Sequence, residues 1–214
     1  MDDEQTGRLV AGFWQAVAER GWHGLTMQRV AAASGVGLAD IRRLAPSPLH
    51  LLRLHARLVD QAVLAGTVPD PLGAAAEPLR DRVFDVLMRR IDALQPHRAG
   101  ILRLVHDLRR DPLLALLLLA ALPGSMAWML EAAAANTAGL PGVLRAQGLA
   151  AVWLYTARAW TRDETADLGA TMAALDRALD RAEQVARTVR PASRHEPLDA
   201  PLGDPRAIAY GAAA

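Results

Sequence analysis

Two groupings of side chains have the residue types and spacing to act on a partner, one basic and one lipophilic. Arg42 and Arg43 end a short helical candidate, Leu38–Leu44, that follows a Ser34-Gly35-Val36-Gly37 turn. A guanidinium can fork two hydrogen bonds onto a phosphate, so adjacent arginines behind a tight turn suit a nucleic-acid backbone. Charge supports the reading: from Gly7 to Asp60 there are seven arginines against Glu19, Asp40 and Asp60, a local net of +4 in a chain whose overall charge is only +1. The expected contact set is Thr26 and Gln28 on the first helix of the unit, with Gly37, Leu38, Asp40, Arg42 and Arg43 on the second. The lipophilic grouping is Met88, Met126, Trp128, Met129, Trp153 and Tyr155. Thioethers adapt to irregular ligands, and Trp or Tyr adds one polar contact, so these six are the expected lining of a pocket for a hydrophobic molecule.

Catalytic patterns are not found. The six histidines, His23, His50, His55, His97, His106 and His195, are scattered. His50 and His55 are five apart and fall on different helical faces, missing the i, i+4 metal pair. His106 and Asp107 are adjacent and diverge on a helix. Gly35-Val36-Gly37 resembles part of a dinucleotide fingerprint, but no strand precedes it and the third glycine is missing. The carboxylates Asp163, Glu164, Asp167, Asp176, Asp180 and Glu183 gather around the last helix, where those near its start complement the helix dipole. Cysteine is absent, which excludes disulfides and thiolate chemistry. The expectation is a non-enzyme with no cofactor and no metal.

The elements that position these groups are helices. Ala and Leu number 44 and 34, while Phe and Tyr occur twice each, so good helix formers abound and the β signature is thin. Leu9, Phe13 and Val17 mark a first helix stopping near Gly21. Thr26 caps a second with Met27, Val30 and Ala31 inward. Ile41 faces inward from the third, and Ser47-Pro48 starts a fourth that runs to about Ala65. Gly66–Gly73 reads as a linker. A fifth helix, from about Pro78 to Gln95, carries Leu79, Val83, Leu87, Ile91 and Leu94 on one side, and a sixth carries Ile101, Leu104, Val105 and Leu108. The charge-free stretch from Pro112 to Leu130 is long enough to span a bilayer. Pro123-Gly124-Ser125 should break it into a buried helix pair. Leu113–Leu122 is apolar all round, which means burial on every side or a seat beside a cavity. Helices near Gly142–Trp160 and Asp167–Val189 follow. Leu168, Met172, Leu175 and Leu179, with Trp160, read as a dimer seam. The expected division is a helix-turn-helix unit over 1–65, a helical ligand and dimerisation unit over 74–190, and a disordered tail over 191–214.

The frame "AVAERGWHGLTMQRVAAASGVGLADI", followed by "APSPLHLL", resembles the TetR-type transcriptional regulators over about Gly7–Leu52. That resemblance implies an all-α fold with an N-terminal three-helix helix-turn-helix bundle and a larger C-terminal ligand and dimerisation bundle. It also implies a homodimer that binds a DNA operator. Where the family has a Tyr-x-His-Phe stretch and then a lysine, this chain has Arg42, Leu44, Ala45 and Pro48. Proline has no donor to offer a phosphate.

The second half, roughly Leu79–Glu183, is similar to the ubiquinone-biosynthesis accessory lipid-binding proteins of the same fold. The likeness rests on "RDRVFDVLMRRIDALQPHRAGILRL", "GLAAVWLYTARAWTRDETADLGATMAALDRAL" and the spacing Asp163, Asp167, Thr171, Leu175, Leu179. It implies an isoprenoid ligand in a helical pocket and no DNA binding. Two readings therefore stand: a regulator sensing a hydrophobic molecule, and a lipid-binding accessory protein for ubiquinone (coenzyme Q) biosynthesis. The acidic start Met1-Asp2-Asp3-Glu4 lacks the layout of a signal peptide. A cytoplasmic location without integral membrane association is the matching expectation.

Overall fold

The computed structural model describes residues 2–67 and 77–189. Most of the expected linker and all of the expected tail lie outside them. The described residues form nine α-helices and no strand: α1 Asp3–Arg20, α2 Met27–Ser34, α3 Leu38–Leu44, α4 Pro48–Ala65, α5 Leu79–Leu94, α6 Arg98–Asp107, α7 Pro112–Ala132, α8 Gly139–Trp160 and α9 Gly169–Val189.

Local chemistry sets the helix ends. The Asp2 carboxylate accepts the Gln5 N–H at 2.7 Å and caps α1. Thr26 caps α2, its hydroxyl oxygen accepting the Arg29 N–H at 3.3 Å. Gly35 closes α2 in the left-handed region at φ 68°, which a residue with a β-carbon seldom enters. Ser47 precedes α4 as expected, but its hydroxyl bonds His50 Nδ1 at 2.8 Å instead of a backbone N–H. Pro96 ends α5 through a single 3-10 turn, Gln95–His97, that leads directly into α6.

Two apolar clusters organise the packing. The first joins Leu9, Phe13 and Val17 of α1 with Val30, Ile41 and Leu51, and also takes in Leu104 of α6 and Leu114 of α7. The second joins Val63 of α4, Val83, Leu87 and Ile91 of α5, Met126 and Met129 of α7, Trp153 and Trp160 of α8, and Leu175 and Leu179 of α9. Ile101 touches both.

The structure corrects the expected helix pair after Asp111. Pro123 lies inside one continuous helix. An interior proline costs about 3 kcal/mol. Burial of Leu114 on one side of it, and of Met126, Met129 and Leu130 on the other, outweighs this at roughly 1.5–3 kcal/mol for each side chain. Nor is the Leu-rich run buried: Leu113, Leu116, Leu117 and Leu119 face outward. By length and composition α7 could cross a membrane, and only 22% of its most apolar window is buried. Of the apolar residues carried by the fifth and sixth helices, Leu79 and Val105 are exposed.

Candidate nucleic-acid interface and effector core

The helix-turn-helix unit is built on close backbone contact. A β-carbon at Gly12 would lie 2.6 Å from both the Ser34 β-carbon and its backbone nitrogen, so α1 and α2 cross at the distance only glycine permits. The buried Ser34 hydroxyl accepts the Val36 N–H at 3.2 Å and fixes the turn into α3. Only Ile41 anchors α3 inward, which leaves Leu38, Arg42, Arg43 and Leu44 facing solvent. Gly37 is the N-cap of α3 in ordinary extended backbone. Asp40, on the same helix, pairs with Arg43. No described carboxylate pairs with Arg42. Thr26 and Gln28 are both exposed at the start of α2, and the Thr26 hydroxyl hydrogen stays available beyond its capping role. The structure thus brings the seven residues of the expected contact set onto α2, α3 and the turn between them.

A second polar contact, missed in the sequence, ties this unit to α6. Asp107 is buried and accepts the Trp22 N–H at 2.7 Å while facing Arg103. Burial opposes ionisation of its carboxyl, but the Trp22 N–H and the Arg103 guanidinium prevail and hold it below the usual carboxylate range.

The expected ligand-lining set divides. Met126, Met129 and Trp153 are buried in the second cluster, and Met88 packs at its edge. Trp128 and Tyr155 are 56% and 40% exposed and turn away from that interior, so they do not line one pocket with the other four. Their spacing explains it: Trp128 is two residues from Met126, and Tyr155 is two from Trp153, which on a helix reverses the face.

In their place the core holds a charge that periodicity could not reveal. Arg90, only 6% exposed, extends from α5 to pair with Asp60 of α4. Asp60 also accepts the Ser125 hydroxyl of α7 at 2.7 Å. The Arg90 guanidinium lies 5.1 Å from the Trp153 ring and reaches Met129 Sδ at 3.7 Å, while its Nε has no partner. One arginine therefore links α4, α5, α7 and α8.

Beside it, His55 of α4 is buried with Nε2 unpartnered, in edge contact with Trp14 at 5.1 Å and with His97 at 5.2 Å between ring centroids. Burial, then the neighbouring His97 and Arg90, push its pKa down from 6.5 to about 3. Among the described residues no three His, Asp or Glu side chains gather as a metal site.

Comparison with solved structures matches this arrangement of helices. The TetR transcriptional regulator from Nitrosomonas europaea ATCC 19718 superposes with a TM-score of 0.64 at 20% identity, over 85% of this chain and 99% of that one. A TetR transcriptional regulator from Rhodococcus sp. RHA1 gives 0.58 at 17% identity, over 84% of this chain and 95% of that one. The fold is that of TetR regulators. No protein-family model and no curated protein sequence matches the chain. Within a TetR-like fold, α2 and α3 form the helix-turn-helix and α4 joins it to the bundle that holds Arg90.

The TetR-like architecture also corrects the expected dimer seam. Leu168, Leu175, Leu179 and Trp160 are all buried against the chain's own α8–α9 pair. The same four-residue spacing serves a helix neighbour within one chain or in another, and here α9 uses it on α8. Asp163 and Thr171 belong to that packing: one Asp163 oxygen accepts both the Thr171 N–H and its hydroxyl at 2.8 Å, and caps α9 from a distance. Hydrogen bonds from Thr165 and Thr171 hold the Asp163 carboxyl far below the usual range.

Proposed function

We propose that this chain is a TetR-like transcriptional regulator, a cytoplasmic non-enzyme that binds operator DNA as a homodimer and senses a hydrophobic small molecule. Residues 1–65 would act as the DNA-reading unit and residues 74–190 as the effector and dimerisation unit. The carrying observation is α3: a helix held inward by Ile41 alone, preceded by the Gly35 turn, offering Leu38, Arg42 and Arg43 to solvent. Arg42 and Arg43 would grip phosphates, Leu38 and Gly37 would approach the groove floor, and Thr26 and Gln28 would steady the backbone from α2. Asp40 would release Arg43 on contact.

The effector would enter among Met88, Met126, Met129 and Trp153. These side chains are packed together in the core, and Arg90 touches Met129 and Trp153, so an effector that opened them would disturb the Arg90–Asp60 pair on α4 and move the reading unit. Trp128 and Tyr155 take no part in this group. Dimerisation would use the outward face of α8 and α9, where Leu140, Val143, Leu144, Leu154 and Val185 are exposed.

Titrating salt against binding to DNA upstream of the gene tests the reading. The chain should prefer that fragment over random DNA, with log affinity falling linearly in log salt. The Arg42→Ala/Arg43→Ala double variant should lose at least about tenfold in affinity and flatten the slope by about 0.9 per phosphate contact removed. Equal affinity for random DNA at low salt would refute the regulator. In sedimentation the parent should be a dimer and Leu144→Glu a monomer; a monomeric parent refutes the assembly.

A further inference from the structure

A cleft of about 160 Å³ lies where α1 meets α4 and the end of α5. Gly7 and Val10 line it from α1, His55, Leu58 and Ala62 from α4, and Ala93 from α5. His97, on the turn after α5, closes one end. None of these residues belongs to α7, α8 or α9, so the cleft is separate from the Met126–Met129–Trp153 group and from the outward face of α8 and α9. Gly7 is exposed, and the cleft opens to solvent beside it.

Two features of this cleft have no explanation in packing. Gly7 stands inside α1, beyond its cap, where glycine is the least favourable residue after proline. Unlike Gly12, it touches nothing: a β-carbon there would meet no atom of another described element within 4 Å. What glycine provides at this position is open space. The second feature is a pair of buried ring nitrogens, His55 Nε2 and Trp14 Nε1, with no partner among the described residues. A buried polar group left in that state costs stability. The two rings are in contact, and His97 stacks on Trp14 at 6.4 Å and meets His55 edge-on at 5.2 Å. Burial keeps His55 neutral in ordinary buffers, so its ring offers one N–H and one bare nitrogen. A hydroxyl both donates and accepts, and so suits whichever of the two it meets. Charges of both signs stand nearby, Arg90 within reach of His55 and exposed Asp3 one turn before Gly7, which favours a neutral occupant over an ion.

We propose that the cleft between α1 and α4 is a binding site for a small neutral hydroxylated molecule of about one aromatic ring, its ring over Gly7 against Val10 and Leu58 and its hydroxyl bonded to the His55 imidazole. The size follows from the volume: a cavity of about 150 Å³ holds a benzene, whereas drug-sized ligands need about 300 Å³ or more. Bound there, the molecule ties the first helix of the reading unit to α4 and α5.

Titrating the full chain with phenol and, separately, with toluene tests the site, by calorimetry and by the indole N–H signals of the nitrogen-15-labelled chain. Phenol should bind saturably and displace the Trp14 indole signal, which Trp14→Phe identifies by its loss. Gly7→Leu fills the open space with a better helix former. It should melt no lower than the parent and bind neither compound. His55→Phe keeps the ring and removes its nitrogens, so the preference for phenol over toluene should fall by at least about threefold, the effect of one lost hydrogen bond. Absence of saturable phenol binding overturns the proposal, and water is then the partner of the two nitrogens. So does phenol binding that leaves the Trp14 signal in place or survives in Gly7→Leu, because the molecule is then seated elsewhere, the Met–Trp core included. An unchanged preference in His55→Phe overturns it too, since the hydroxyl is then not read by His55.

Discussion

His55 carries the clearest pH signature in the molecule. Its folded pKa, about 3, is below the unfolded 6.5, so the folded state stays neutral where the unfolded chain takes up a proton. Its contribution is complete above 6.5 and is lost progressively as pH falls toward 3, at about 1.4 kcal/mol per pH unit. His97, also lowered by burial, acts in the same direction. Urea midpoints at pH 7 and pH 5 should therefore fall steeply for the parent and less for His55→Phe, which keeps the ring contact with Trp14 and has no group to protonate. An identical fall in both would remove His55 from the account. Other residues divide by how local their partners are. Thr26 as a cap was legible because its partner, Arg29, is three residues on. Asp107 was not, because Trp22 is 85 residues away. Asp163, Thr171, Leu175 and Leu179, whose spacing suggested the ubiquinone-associated proteins, form a cap and a buried stripe. Their spacing reports α8–α9 packing and carries no information about a ligand.

Among the helices, α1 and α2 depend on one glycine. Gly12→Ala would press a β-carbon against Ser34 backbone, which cannot yield as a flexible side-chain tip does. It should destabilise the helix-turn-helix by about 1–3 kcal/mol. Hydrogen exchange should show faster opening of α2 and α3 with little change in α8 and α9; uniform exchange throughout would show that the crossing is not local. Helix positions were readable from 3.6-residue periodicity, proline starts and glycine stops. The α7 helix was misread because a proline signals a break only when the chain beyond it has nothing better to pack on. Leu114 before Pro123, and Met126 and Met129 after it, anchor both halves in separate clusters.

For the molecule as a whole, the N-terminal helices are joined to the bundle by buried polar contacts, Trp22 with Asp107 and Asp60 with Arg90, as well as by α4 itself. Removing one member of a buried ion pair costs about 3–5 kcal/mol, because the other is left charged and unpaired. Arg90→Met should show that loss in denaturant unfolding. Asp60→Asn/Arg90→Met should recover a substantial part of it, since neither charge then remains. If the two losses simply add, the pair does not couple α4 to α5. Composition and periodicity determined that this chain is all-helical, where most helices begin and end, and that a short basic helix follows a tight glycine turn; each follows from contacts within a few residues. Tertiary structure alone decided which apolar stripes face the chain's own core and that an arginine occupies the lipophilic interior. Those outcomes depend on residues 30 to 85 positions apart meeting, as Asp60 meets Arg90 and Trp22 meets Asp107. Helical periodicity specifies a face but never the neighbour that will cover it.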